Sequence, residues 1–95
     1  MAREQATATV LEDGERVRVT RFDFRAHTET GWHTHAHDYV VTPVTACDML
    51  IKAPDGTSRT VAMRPGDAYR RDAGVEHNVV NAGEAPMTLV EVELK

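Results

Sequence analysis

Gly66-Asp67-Ala68-Tyr69-Arg70-Arg71-Asp72-Ala73-Gly74-Val75-Glu76-His77-Asn78-Val79-Val80-Asn81 reads as two short strands, 67–71 and 76–80, folded about Ala73-Gly74. Pro65-Gly66 just before it suits a type II turn, the proline presetting one dihedral and the glycine taking the positive one. Working back toward the N-terminus, residues 58–63 form a β-rich run that returns along 48–53 through Pro54-Asp55-Gly56. Residues 32–44 are a longer run of the same kind. Before it, residues 16–24 alternate, but Val17 and Val19 have the opposite parity to Phe22 and Phe24, which predicts a bulge or bend near Thr20-Arg21. Asp13-Gly14 joins this run to residues 7–11 as a hairpin. Toward the C-terminus, Asn81-Ala82-Gly83-Glu84 is a turn and residues 87–94 are a last strand. Helical periodicity is missing throughout. About eight short strands with turns between them predict an all-β sandwich or barrel, whose double-sheet forms include the jelly roll.

The bulk composition agrees. Ninety-five residues supply one domain with a single modest core, read as 1–95 without repeats or linkers. Hydrophobic residues make up 41% and charged residues 27%, enough apolar surface to fold and enough charge to stay in solution. Eleven basic against fifteen acidic side chains leave a net charge of −4, which argues against a nucleic-acid binder, since that needs a basic surface to release counterions. The one cysteine, Cys47, allows neither an intrachain disulfide nor a four-thiolate zinc site. It reads as a packed, inert thiol. The apolar stretches are too short to cross a bilayer, and residues 1–5 have no apolar segment like a secretory signal, so the expectation is a cytoplasmic protein with no membrane partner.

Chemistry concentrates at His33, His35 and His37. On a continuous strand these three share one face, successive ones about 6.6–7 Å apart, so their imidazoles can converge on one ion. Neutral imidazole is the commonest protein ligand for borderline metals. A strand face with three histidines in five residues is also a poor hydrophobic surface, and something must compensate for the apolar contacts it forgoes.

Here the chain resembles the cupin superfamily. Cupins carry a first motif of Gly, His-x-His, three or four residues, Glu, six residues, Gly. Their second motif is Gly, five residues, Pro-x-Gly, two residues, His, three residues, Asn. The second is matched by Gly66, Asp72-Ala73-Gly74, His77 and Asn81, with Asp72 where the proline stands. The first is matched at His33 and His35, with Gly31 nearer than the family spacing. Tyr39 occupies the place of the family's ligand glutamate, and Ala46 that of its closing glycine. The resemblance implies a double-stranded β-helix, or jelly-roll barrel, that is small, single-domain and homodimeric. It carries over His33, His35 and His77 as ligands of a divalent transition metal, but supplies no carboxylate. His37 or Tyr39 is left for the fourth position and for proton transfer, while Asp38 points to the opposite face unless the strand is bulged. Nitrogen ligation suits zinc, iron, nickel, copper or cobalt over calcium and magnesium.

Of the remaining polar residues, one of the adjacent Arg70 and Arg71 must face inward, where it would either clamp a substrate carboxylate or phosphate or snorkel to the rim. His27 reads as a surface histidine, Asn78 and Asn81 as turn and strand-end residues, and Trp32 as packing or pocket lining. The functional expectation is a metal-dependent enzyme of oxygenase, isomerase or lyase type acting on a small oxygenated metabolite. The alternatives are a non-catalytic module that binds a small molecule and a metal-free barrel that associates with another protein. An open metal site favours the first, a saturated four-ligand site the second, and a large exposed apolar face without metal the third.

Overall fold

The structure, a computed structural model, describes residues 3–95. Nine strands follow one another: β1 (Thr7–Asp13), β2 (Val17–Phe24), β3 (His33–Thr34), β4 (Asp38–Pro43), β5 (Cys47–Lys52), β6 (Ser58–Met63), β7 (Tyr69–Arg71), β8 (Glu76–Asn81) and β9 (Met87–Leu94). They form a five-stranded sheet, ordered β1-β2-β9-β4-β7, and a four-stranded sheet, ordered β3-β8-β5-β6. Every pairing between strands is antiparallel, and no helix occurs among the described residues. The fold is the all-β barrel expected from the turn spacing.

Alternation along the strands builds the core. Tyr39, Val41 and Pro43 of β4, Cys47, Met49 and Ile51 of β5, and Met87 and Leu89 of β9 are buried. Phe24, Met63 and Val79 complete one hydrophobic cluster, with Phe22, Val61 and Tyr69 packed at its margin. The cluster is rich in methionine and poor in rings, as the low aromatic content requires. The turns behave as their residues dictate. Gly66 has φ +99°, and the Asp67 amide donates to the Arg64 carbonyl at 3.0 Å, closing the turn around Pro65-Gly66.

Two strand expectations are corrected. The run 32–44 is not one strand: β3 lies in the four-stranded sheet and β4 in the five-stranded one. Residues 35–37 carry the chain between them. His35 keeps its backbone paired while it crosses, its amide donating to the Val75 carbonyl at 2.9 Å and its carbonyl accepting from the Gly74 amide at 2.8 Å. The bulge expected near Thr20-Arg21 is also absent, because β2 pairs β9 in unbroken register from Val17↔Leu94 to Phe24↔Met87. Thr20, Phe22 and Phe24 face inward, and Val17 and Val19 lie on the other face of the sheet, so a parity change in hydrophobicity had no kink behind it. The irregularity sits instead in β1, between Val10 and Glu12.

Candidate metal centre

His33 on β3 and His77 on β8 are directly opposed cross-strand partners. Such partners point to the same face, so two imidazoles meet without any long-range adjustment. His35, two residues on, brings the third ring in from the crossover segment. His33 Nε2 and His35 Nε2 are 3.0 Å apart, as are His35 Nε2 and His77 Nε2. One ligand nitrogen from each ring lies within 4.8 Å of the others. Metal–nitrogen bonds of about 2.0–2.1 Å meeting near a right angle place neighbouring nitrogens about 3 Å apart, which is the spacing found.

Protons account poorly for this arrangement. His33 Nδ1 lies 2.9 Å from the Gly31 carbonyl oxygen, which can only accept, so Nδ1 carries the hydrogen and Nε2 of the neutral ring presents a lone pair. A hydrogen on His35 Nε2 satisfies one neighbour and leaves the other contact unsatisfied. Charging the rings is no remedy. Burial, with His33 close by, pushes His35 down to about 4, and burial with both neighbouring imidazoles pushes His77 down to about 3. Three rings that converge, with His35 and His77 held neutral by burial, fit a shared cation, and an all-nitrogen set fits a borderline ion.

The supporting residues are specific. Gly31, with φ +81°, aims its carbonyl at His33 while its amide donates to Asn78 Oδ1 at 3.0 Å. That backbone conformation strains any residue with a Cβ. Behind His35, Glu91 Oε1 lies 3.7 Å from Nδ1, outside hydrogen-bond reach. A carboxylate on the far nitrogen of a metal-binding histidine fixes its tautomer and orientation. Burial, with Glu93 nearby, raises the Glu91 carboxyl to about 7. Sequence reasoning missed Glu91. Its signal was present only in part: it shares inward parity with Met87 and Leu89 on β9, but so does Glu93, and of the two acids only Glu91 is buried.

His37 and Tyr39, the two residues expected near the fourth position, are placed differently. His37 is not brought to the cluster, because the chain has left β3 before reaching it and the shared-face argument stops at His35. It lines the outer mouth with Arg18, Glu91 and Glu93, around a cleft of about 410 Å³. Tyr39 is fully buried, its ring stacked on His35 at 3.8 Å between centroids. Burial pushes its phenol well above the ordinary value, so at neutral pH it is an O–H donor rather than a phenolate ligand. Its hydroxyl has no hydrogen-bond partner. Tyr39→Phe is therefore expected to raise the stability of metal-stripped protein in urea by about 1–3 kcal/mol, the penalty of an unsatisfied buried group; a loss of stability would show that the hydroxyl holds a bound water. Asp38 turns away and accepts from the Ala73 amide at 2.8 Å.

The other sequence candidates resolve simply. Arg71 faces inward, and Arg70 is exposed and paired with Asp72 at 2.9 Å. His27 is on the surface, 2.9 Å from Glu84, and Trp32 is 54% exposed, so it does not pack in the core. Cys47 is buried, and burial raises its thiol, which leaves it unreactive. Asn81 braces the turn after β8 by donating to the Ala85 carbonyl at 2.9 Å.

A family model described as "Cupin domain" matches residues 20–93. The chain belongs to the cupin family. Glu91 and the whole histidine cluster fall within the matched residues. This cupin is 46% identical over 93 residues to the beta-alanine degradation protein BauB of Pseudomonas aeruginosa, covering 98% of this chain and 97% of that protein. A crystal structure of a cupin domain from Bordetella pertussis superposes with a TM-score of 0.94 at 45% identity, over 100% of this chain and 98% of the other. The polyketide cyclase RemF from Streptomyces resistomycificus shares the fold, with a TM-score of 0.76 at 22% identity over 98% of this chain and 67% of its own.

Proposed function

We propose that this cupin holds a divalent transition metal at His33, His35 and His77 and acts on a small oxygenated metabolite. The observation that carries this reading is the convergence of three imidazoles, with His35 Nε2 3.0 Å from both His33 Nε2 and His77 Nε2. A bound first-row ion would supply Lewis acidity toward a substrate oxygen. The chain's own contribution is orientation and exclusion of water. The Gly31 carbonyl holds His33 in the tautomer that presents Nε2, and Glu91 stands behind His35. Tyr39, stacked on His35, closes the inner side together with Phe22 and Phe24 around a cavity of about 20 Å³. That is room for about one water, so a substrate approaches from the open clefts rather than from the core.

An open site favours a catalytic role over a saturated binding module. His33 is only partly buried and borders the mouth of about 410 Å³, and no fourth nitrogen joins the cluster among the described residues. The 46% identity to a protein named for beta-alanine degradation supports a metabolic role. The test is metal content of tag-free protein by plasma mass spectrometry, followed by equilibrium uptake of zinc, nickel, iron and copper. About one ion per chain is expected, held strongly enough that gel filtration does not remove it. Protein that arrives bare and takes up none of the four overturns the reading.

A further inference from the structure

The two sheets end in β6 and β7, and these two edge strands border an opening on one side of the barrel. Inward parity puts Arg59 and Val61 on β6, and Tyr69 and Arg71 on β7. These four residues line a surface groove of about 480 Å³. The two arginines also line an adjoining cleft of about 210 Å³, whose wall includes Ile51, Val75 and His77. The path from the arginine pair to a member of the histidine cluster is therefore one cleft.

Arg71 is the anomaly. Its Nη1 is buried and has no hydrogen-bond partner, and among the described residues neither Arg71 nor Arg59 is in a salt bridge. A buried guanidinium N–H without an acceptor is strongly unfavourable, because the group loses water and gains nothing in exchange. Other arginines of this chain show the usual solution: Arg21 pairs with Asp23, and Arg70 with Asp72. His77 Nδ1 is a second buried polar atom without a partner, and His77 is part of the lining of the same cleft. Two unsatisfied groups at one cleft call for a ligand rich in acceptors.

We propose that Arg71, assisted by Arg59, is a carboxylate subsite that holds the acid group of a short carboxylic acid while its other end reaches the histidine centre. A carboxylate matches the planar guanidinium fork in two parallel hydrogen bonds. A monoanion suits the cleft better than a phosphate dianion, because Glu76 stands in the same lining and repels a second negative charge. A cleft of about 210 Å³ lies below the range of drug-sized ligand pockets, about 300–1,000 Å³, so the acid is small. Ile51 and Val75 give its carbon chain an apolar wall. The subsite deepens the metal-centre reading by naming the substrate class, and rests on that reading only for what happens at the acid's far end.

The experiment is a titration of metal-stripped protein with propionate, with neutral propionamide as control, followed by NMR of the arginine Nε–Hε signals. Stripping the metal prevents carboxylate–metal bonding from imitating the effect. Propionate is expected to shift the Arg71 and Arg59 signals saturably, and propionamide to leave them in place. Arg71→Gln is expected to weaken propionate binding at least about tenfold and Arg59→Gln several-fold, the loss of a charge-assisted pair and of a more exposed one. Arg70→Gln, on the outer face, is expected to change nothing. Zinc uptake by Arg71→Gln is expected to equal that of the parent. Arg59 lies on an exposed edge, so its variant folds even where Arg71→Gln does not. Propionate binding unchanged in Arg59→Gln and Arg71→Gln, or inorganic phosphate binding more tightly than propionate, overturns the subsite. Arginine-dependent propionate binding by a protein that takes up no metal supports the subsite and overturns the metal reading alone.

Discussion

Replacing His77 with alanine is expected to lower the metal content of the purified protein from about one ion per chain to less than about a tenth of that, whereas His37→Ala leaves it at the parent value. The two variants separate what lies on one strand face in the sequence from what converges in space. His77 is buried and stands directly opposite His33 across the β3–β8 ladder, so its removal opens one of three nitrogen positions that nothing nearby can refill. Glu91 is on the Nδ1 side of His35 and Tyr39 is a neutral phenol in a stack, so neither substitutes. His37 lines the mouth and takes no part in the cluster. Plasma mass spectrometry of the three proteins, purified side by side without tags, reads the result. Equal metal loss in both variants would mean that His37 swings inward on loading, and metal retained by His77→Ala would remove the three-histidine centre altogether.

The stability of metal-stripped protein is expected to be level above about pH 7 and to fall as pH drops below about 6.5, with the histidines and Glu91 acting in opposite senses. His35 and His77 are held down to about 4 and about 3, so below their unfolded value of 6.5 the unfolded chain takes up protons that the folded one refuses. Stability then drops with falling pH. Glu91 acts in the opposite sense. Its folded value is raised to about 7 from 4.5, so its contribution is complete below 4.5 and is lost as pH rises to about 7. Between pH 6.5 and 4.5 two histidine protons oppose one glutamate proton. The net single proton is worth about 1.4 kcal/mol per pH unit, or about 3 kcal/mol over that interval. That is a large share of the roughly 5–15 kcal/mol that holds a domain of this kind folded. Below 4.5 the glutamate no longer offsets the histidines and the fall steepens. Urea midpoints from pH 4.5 to 8 measure the curve. Glu91→Gln is expected to abolish the decline between 4.5 and 7 that glutamate contributes, steepening the acid limb, and a bound metal to deepen the acid loss, because protons then compete with it for the same nitrogens. A flat profile for the stripped protein would show that His35 and His77 exchange protons with solvent freely.

Local chemistry made most of the architecture legible. Pro65-Gly66 closed as the turn its dihedral preferences require, and the strands on either side of Ala73-Gly74 formed where they were expected. The His-x-His pair and His77, placed by two motifs, named the three rings that meet. Alternation failed where it was applied across a change of sheet. It put His37 on the face of His33 and His35 because periodicity assumes a continuous strand, and the chain crosses from one sheet to the other at residues 35–37. The parity change in β2 misled for a related reason: hydrophobicity does not mark the inward face of a strand whose outer face also carries valines.

The sequence by itself determined the all-β fold, the turn positions and the identity of the three converging histidines, since each follows from a preference or a motif within a short stretch of chain. Only the tertiary structure decided that His37 stays outside, that Glu91 comes up behind His35 from a strand far along the chain, and that Arg71 rather than Arg70 enters the barrel beside Arg59. Those outcomes depend on which strands become neighbours across the sandwich. Strand order is set by the collective burial of the core, and no local spacing records it.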